Sequence, residues 1–256
     1  MKLSFVIPYQ DIDNLKRYTE IMSSLSYNGV ELGIKDPESV SLKEIDKVLS
    51  SFKLPLIAQG TGRAFTEDRI SLSSEEKSIR DMAIKRLKSH IDFASYFSSF
   101  VIVGLIRGNV KNDIEKNYVK DGIVEVCDYA KAKGVKILLE PINRYEINWI
   151  NTVEEAYNFI IELGRKNLGL LIDTFHMNIE EPSIAGSIFK TRQLIGHVHI
   201  ADSNRLAPDW GHIDFKDIFR ILDSIGYRGF ISAELINKPS VEEAIAQTAK
   251  YIKAII

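Results

Sequence analysis

A single (β/α)8 barrel, an α/β fold in one domain, is what this sequence predicts, on three observations. Short apolar runs alternate with amphipathic helical patterns from end to end, which is the pattern of a parallel sheet joined by crossover helices. Eight such pairs share 256 residues, or 32 residues a unit, close to the repeat of closed barrels. No linker, low-complexity tract or block of like charge interrupts them, so residues 1–256 read as one domain. An open doubly wound sheet is the structural alternative. Against its dinucleotide-binding version, no G-x-G-x-x-G follows the first strand, and no nucleotide cofactor is expected.

In chain order, Leu3 to Pro8 reads as the first strand, followed by a helical pattern near Ile12–Leu25. Gly29 to Gly33 is the second strand and Leu42–Phe52 its helix. Leu54 to Ala58 opens the third, and Gln59 to Thr66 follows as a polar, glycine-bearing loop. Ser73 or Ser74 is suited to cap the long helix that runs on to about Phe97. Phe100 to Gly104 is the fourth strand, with a helix over Asp113–Lys133 stopped by Gly134. Val135 to Glu140 is the fifth, after which Thr152 and Glu155 form a capping box. Gly169 to Asp173 is the sixth, with a shorter helix near Ile184–Arg192. Ile195–Ile200 is the seventh with Phe215–Ile225, and Gly229 to Glu234 the eighth with Val241–Ile255.

Composition narrows the function classes. Lys+Arg 33 against Asp+Glu 35 gives a net charge of -2 with no basic tail, so neither nucleic acid nor an anionic membrane is an expected partner. Cys127 is the one cysteine, which excludes a disulfide framework and reads as a buried structural thiol. Met1 to Pro8 is too short for a signal peptide, and no apolar run approaches the roughly 18 residues of a membrane span. A soluble, cytoplasmic protein is expected, and homo-oligomerisation is left open.

The unusual residues sit at strand ends. In Gly196-His197-Val198-His199-Ile200, alternate positions face one way, so both imidazoles point to one side. Glu140 ends the fifth strand, Asp173 the sixth and Glu234 the eighth, while His199 lies near the end of the seventh. They are 33, 26 and 35 residues apart, about one strand–helix unit each. In a parallel barrel all strand C-termini meet at one rim, where active sites are built. Three carboxylates and an imidazole crowded there demand a counter-charge. Mostly oxygen ligands with one nitrogen favour Mn²⁺ or Mg²⁺, with Co²⁺ a further candidate, over a closed structural zinc site. His197 lies one layer below and is expected to orient a ligand rather than bind the ion.

These residues carry a resemblance. Leu139-Glu140-Pro141-Ile142-Asn143-Arg144-Tyr145-Glu146, Ile172-Asp173-Thr174-Phe175-His176-Met177-Asn178, His197-Val198-His199 with Ser203-Asn204-Arg205, and Ser232-Ala233-Glu234 resemble the D-tagatose 3-epimerase group of xylose-isomerase-like barrels. The similarity spans the second half of the chain, whereas the first half matches in its strand–helix rhythm. Epimerising a carbon beside a ketone means removing its proton on one face and returning one on the other, through an enediolate. The resemblance implies that Glu140 and Glu234 both ligate the metal and exchange that proton. It implies that Asp173 and His199 complete the metal site, with Mn²⁺ the first candidate, and that Glu146 accepts hydrogen bonds from substrate hydroxyls.

His176, three residues past Asp173, can donate to a substrate oxygen, and Arg205 can pair with Glu234 or hold the carbonyl oxygen. Trp149 and Trp210 lie in rim loops, where they either cover a sugar or pack the loops. His90 and His212 read as structural or surface residues. Arg63 and Arg107 follow the third and fourth strands on the same rim, which raises a keto-sugar acid, a ketogluconate for example, as substrate beside a neutral ketose. A hydroxypyruvate-type isomerase or an inosose-type dehydratase would use nearly the same residues. An apurinic-site endonuclease would need further histidines on the early strands, which this sequence lacks. A non-catalytic sugar-binding barrel has little use for two proton-transfer carboxylates.

Overall fold

The structure, a computed structural model, describes residues 1–255. Eight strands, β1 (Lys2–Pro8), β2 (Gly29–Gly33), β3 (Leu56–Gly60), β4 (Phe100–Val103), β5 (Ile137–Leu139), β6 (Leu168–Asp173), β7 (Ile195–Ile200) and β8 (Phe230–Ala233), lie side by side in chain order. Every neighbouring pair is parallel, and β1 closes on β8 with Ser4 beside Ser232. The expected (β/α)8 barrel is therefore the fold, and no described helix is long and apolar enough to cross a membrane.

Strand alternation divides the apolar residues into two cores. Phe5, Val30, Leu32, Val103, Leu139, Leu170, Ile172, Val198 and Ile200 face outward and pack with the helices in the large core. Ala58, Ile102, Leu138 and Leu171 form a separate, smaller cluster inside the barrel. Leu138 fills the barrel floor: a Cβ added at Gly196 would stand 2.7 Å from its side chain. Stepping two residues along a strand keeps the same face. Leu138 thus leads to Glu140, Leu171 to Asp173, His197 to His199, and Ser232 to Glu234. These steps bring Glu140, Asp173, His199 and Glu234 to one height, the C-terminal rim.

Local chemistry explains most boundaries. The Thr152 capping box is present and starts the helix Val153–Leu163. Gly134, at φ +70, follows the helix Asp113–Ala132. β3 begins at Leu56 rather than Leu54, because Pro55 has no N–H for the ladder and offers only its carbonyl, which accepts from Val30 N. The long helix of the third unit, Lys77–Phe97, starts after the expected caps. Ser73 does not cap it, and Ser74 Oγ accepts instead from Glu76 N, one turn early. Part of the expected loop after β3 is a short helix, Gly62–Asp68, and a second short helix, Thr174–Glu180, follows β6 directly.

Candidate active and metal site

Glu140 and Glu234 lie one residue past β5 and β8, Asp173 closes β6, and His199 stands beside Asp173 in the β6–β7 register. One ligand atom from each of the four lies within 4.8 Å of the others. Asp173 and His199 are fully buried, Glu140 is buried and Glu234 half-buried. His199 Nδ1 stands 3.5 Å from Glu234 Oε2, 3.7 Å from Glu140 Oε1 and 4.0 Å from Asp173 Oδ2. Yet neither His199 Nδ1 nor Glu140 Oε1, both buried, has a hydrogen-bond partner. Buried polar atoms are rarely left so. Convergent carboxylate oxygens, one imidazole nitrogen and two orphaned atoms fit a divalent cation bound among them.

The electrostatics agree. Burial pushes the Glu140 carboxyl above the ordinary range, with the Glu234 charge adding to the shift while His199 opposes it. Burial also works against Glu234, but Arg205 and His199 outweigh it and hold that group well below the ordinary range. Arg205 donates from Nη1 to Asp173 Oδ2 at 2.7 Å and from Nη2 to Glu234, and lies 4.8 Å over the Phe175 ring. One fixed cation thus faces three carboxylates, a charge imbalance that a bound divalent ion relieves.

The remaining expected residues separate into two groups. His176 is buried; Asn143 Nδ2 donates to its Nδ1 at 2.8 Å, so the ring proton sits on Nε2, 3.9 Å from both Glu140 and Asp173. Asn143 also donates to Glu146 Oε1 at 2.8 Å, and its own carbonyl oxygen accepts from Tyr145 N. Glu146, His176 and Arg205 line one narrow cavity with Glu140, His199 and Glu234, closed by Gly60, Ile102, Gly104, Leu105 and Ile142.

The two early-rim arginines do not reach it. Arg107 is fully buried, and its guanidinium donates to the carbonyls of Val103, Glu140, Trp149 and Ile150. It ties the chain after β5 to the end of β4. Arg63 is held by Glu67 at 2.6 Å and by the carbonyls of Tyr9 and Gly33, in a wider cleft beyond the cavity wall. Both positions were expected to bind a substrate carboxylate; neither lines the cavity, Arg107 being engaged by backbone carbonyls and Arg63 by Glu67 and two carbonyls. Trp149 likewise packs edge-on against Phe159, 5.5 Å away, while Trp210 stays on the surface. His90 is buried with Nδ1 on Gln59, and exposed His212 bonds Ser203.

Two residues escaped the sequence reading. Asn143 lay inside a recognised motif, and its pairing with a histidine 33 positions later was invisible. Glu31, on β2, is fully buried and meets both histidines of β7: His197 Nε2 at 3.0 Å, and His199 Nε2 at 3.0 and 3.1 Å. His197 Nε2 is also 2.9 Å from Ser232 Oγ, which pairs with Ser4. His197 is thus below the carboxylate cluster and linked to His199 through Glu31. Burial alone would raise Glu31, but the His199 charge and the two imidazole hydrogen bonds bring it down to about 2. A lone acid in a short apolar strand gave no signal; only a partner across the barrel could.

The chain is 31% identical over 234 residues to a D-psicose 3-epimerase of Ruminiclostridium cellulolyticum, covering 86% of this chain and 77% of that protein. It is 37% identical over 122 residues to the 3-dehydro-D-guloside 4-epimerase of Escherichia coli, 48% of this chain and 47% of that one. Among solved structures, a D-allulose 3-epimerase from Methylomonas sp. superimposes with a TM-score of 0.88 at 23% identity, covering 100% of this chain and 98% of that one. With the xylose isomerase-like TIM barrel family matching residues 20–255 as well, this chain belongs to that family.

Proposed function

We propose that this protein is a divalent-metal-dependent isomerase that inverts the carbon next to the ketone of a ketose or related keto-sugar. The observation that carries the reading is the convergence of Glu140 and Glu234, just past β5 and β8, on one cavity with His199, in a cluster that Asp173 completes. The names of the relatives point to the same chemistry. Carbon 3 adjoins the ketone of a 2-ketose, and carbon 4 adjoins that of a 3-dehydro sugar.

Glu140, Asp173, His199 and Glu234 would hold the ion, Mn²⁺ first, with Mg²⁺ and Co²⁺ next, by the oxygen-rich donor set. Such a cation supplies positive charge against which negative charge on the substrate carbonyl oxygen is stabilised. The two glutamates then share the proton work: one takes the proton from its side of the carbon, and the other returns a proton on the opposite side. Arg205 keeps Glu234 ionised and fixes Asp173. His176, its Nδ1 occupied by Asn143, presents Nε2–H to a substrate oxygen. Glu146 accepts from a substrate hydroxyl, and the Gly60, Ile102, Gly104 and Leu105 wall limits water around the reacting carbon. With Arg63 and Arg107 both engaged elsewhere, the reading requires no carboxylate on the substrate.

The test is deuterium uptake from D₂O at the carbon beside the ketone, over a panel of neutral ketoses and keto-sugar acids. Uptake should be abolished by EDTA and restored by Mn²⁺. Glu140→Gln and Glu234→Gln should each lower turnover by about 10²–10⁴-fold, the usual worth of a positioned acid or base. Absence of metal-dependent exchange with every member of the panel overturns the proposal.

A further inference from the structure

Beneath the carboxylates lies a sealed polar layer to which the mechanism above gives no task. Ser4, Glu31, His197 and Ser232 are all buried to 1% exposure or less inside the barrel, which also holds the apolar cluster of Ala58, Ile102, Leu138 and Leu171. An ionised carboxylate in such a place costs several kcal/mol unless it is well paired. Its partners come from β7, across the barrel, 166 and 168 positions away.

We propose that Glu31 is a positioning residue for the metal site, fixing which nitrogen of His199 is free to bind the ion. The inference rests on the metal reading above. An imidazole that ligates through one nitrogen carries its proton on the other. His199 Nε2 faces both oxygens of Glu31, at 3.0 and 3.1 Å, and an ionised carboxylate can only accept. Without an ion both ring nitrogens are protonated; when an ion displaces the Nδ1 proton, the remaining proton is therefore on Nε2, and the Nδ1 lone pair is free to bind. Nδ1 is also the atom that faces Glu140, Asp173 and Glu234 with no hydrogen bond of its own. His197 repeats the arrangement one layer down. Its Nε2 reaches Glu31 Oε2 and Ser232 Oγ, while its Nδ1 is unpartnered, so it too donates from Nε2. Two imidazole N–H groups thus converge on one carboxylate. His197 holds Glu31, and Glu31 holds His199.

A competing arrangement is a second ion bound directly by Glu31, His197 and His199, whose ligand atoms are also within 4.8 Å of one another. It would need lone pairs on both Nε2 atoms. The His199 proton would then move to Nδ1 and point it at the three carboxylates, against the first ion. The two arrangements demand opposite tautomers of His199, which makes them separable.

Metal-free full-length protein would be titrated calorimetrically with MnCl₂, as wild type and as Glu31→Gln. Glutamine keeps the shape but turns an amide donor towards at least one imidazole. The expected result is one ion per chain in the wild type, with affinity about 10–100-fold weaker in Glu31→Gln, the usual loss when the support of a metal-binding histidine is removed. Circular dichroism and Tm serve as the folding control. Equal affinities overturn the positioning role. Two ions in the wild type falling to one in the variant overturn it in favour of a second site. No binding by the wild type overturns the metal reading itself, and with it this one. Long-range ¹H–¹⁵N spectra of Mg²⁺-loaded wild type need no variant: His199 protonated on Nε2 is expected, and protonation on Nδ1 refutes the proposal.

Discussion

At Arg107 a guanidinium with no exposed surface is surrounded by four backbone carbonyls rather than by a carboxylate. Burial lowers its pKa to about 10, against the charges of Glu140 and Glu155, so it stays protonated at neutral pH. Arg107→Met would leave the carbonyls of Glu140 and Trp149 without this donor, while Val103 O and Ile150 O still accept from Glu140 N and Ile142 N, and should lower the unfolding free energy by on the order of 3 kcal/mol, read from urea denaturation. Arg63→Ala, at a partly exposed ion pair, should cost less than about 1 kcal/mol and leave turnover of keto-sugar acids unchanged. A selective loss of acid turnover in Arg63→Ala would restore the carboxylate role that its rim position first suggested. Asn143 acts through His176. With Asn143→Ala the ring is free to take the other tautomer, and kcat/KM should fall about tenfold or more, equivalent to about 1.4 kcal/mol. An unchanged kcat/KM would show that His176 orients itself.

The element that carries most of the site is β7 with the loop after it. His197 and His199 share a face because strands repeat every two residues, and the sequence alone placed His199 at rim height. The loop depends on contacts that spacing does not reveal. Buried Asp202 accepts from Ser203 N, Asp209 N and Ile213 N, folding residues 203–213 back over the strand end. Arg205 sits within that fold at φ +62, a left-handed conformation costing roughly 1–2 kcal/mol for a residue with a Cβ. It is held there because Arg205 N donates to Asp202 O and Ile236 N donates to Arg205 O, both at 2.8 Å. The strained backbone aims the guanidinium at Asp173 and Glu234. Asp202→Ala should therefore increase proteolytic cleavage within 203–212 and lower kcat with little change in Tm. A variant as resistant to protease as the wild type would show that other contacts hold the loop.

For the whole molecule, the barrel is stable enough to concentrate three acids at one rim, and this invites stabilisation by what they bind. A ligand bound only by the folded state at a hundred times its Kd adds about 2.7 kcal/mol. Mn²⁺ at that excess should raise Tm of the EDTA-treated protein, and the rise should vanish in Glu234→Ala. Cys127 reports on the rest of the fold. Burial, with the Asp128 charge adding to it, pushes the thiol up to about 12. At pH 8 the reactive thiolate is then about four orders of magnitude scarcer than the thiol. Alkylation by iodoacetamide should be negligible in the native protein and complete in denaturant; rapid native labelling would show that the helix Asp113–Ala132 opens locally.

Sequence by itself determined the barrel, the order of its strands and the residues at their C-terminal ends. Those features follow from periodicity and spacing, which are local properties summed along a chain. A one-residue alternation separates Glu140 from Leu139 and Asp173 from Ile172, so inner-wall chemistry is readable where each strand's facing is. Tertiary structure alone decided what each long or lone polar side chain met. Arg107 reaches backbone carbonyls, Asn143 pairs with His176, and Glu31 joins two histidines from the far side of the barrel. The reason is physical: backbone alternation sets direction, whereas the partners of a buried charge are set by packing between strands that are distant in sequence.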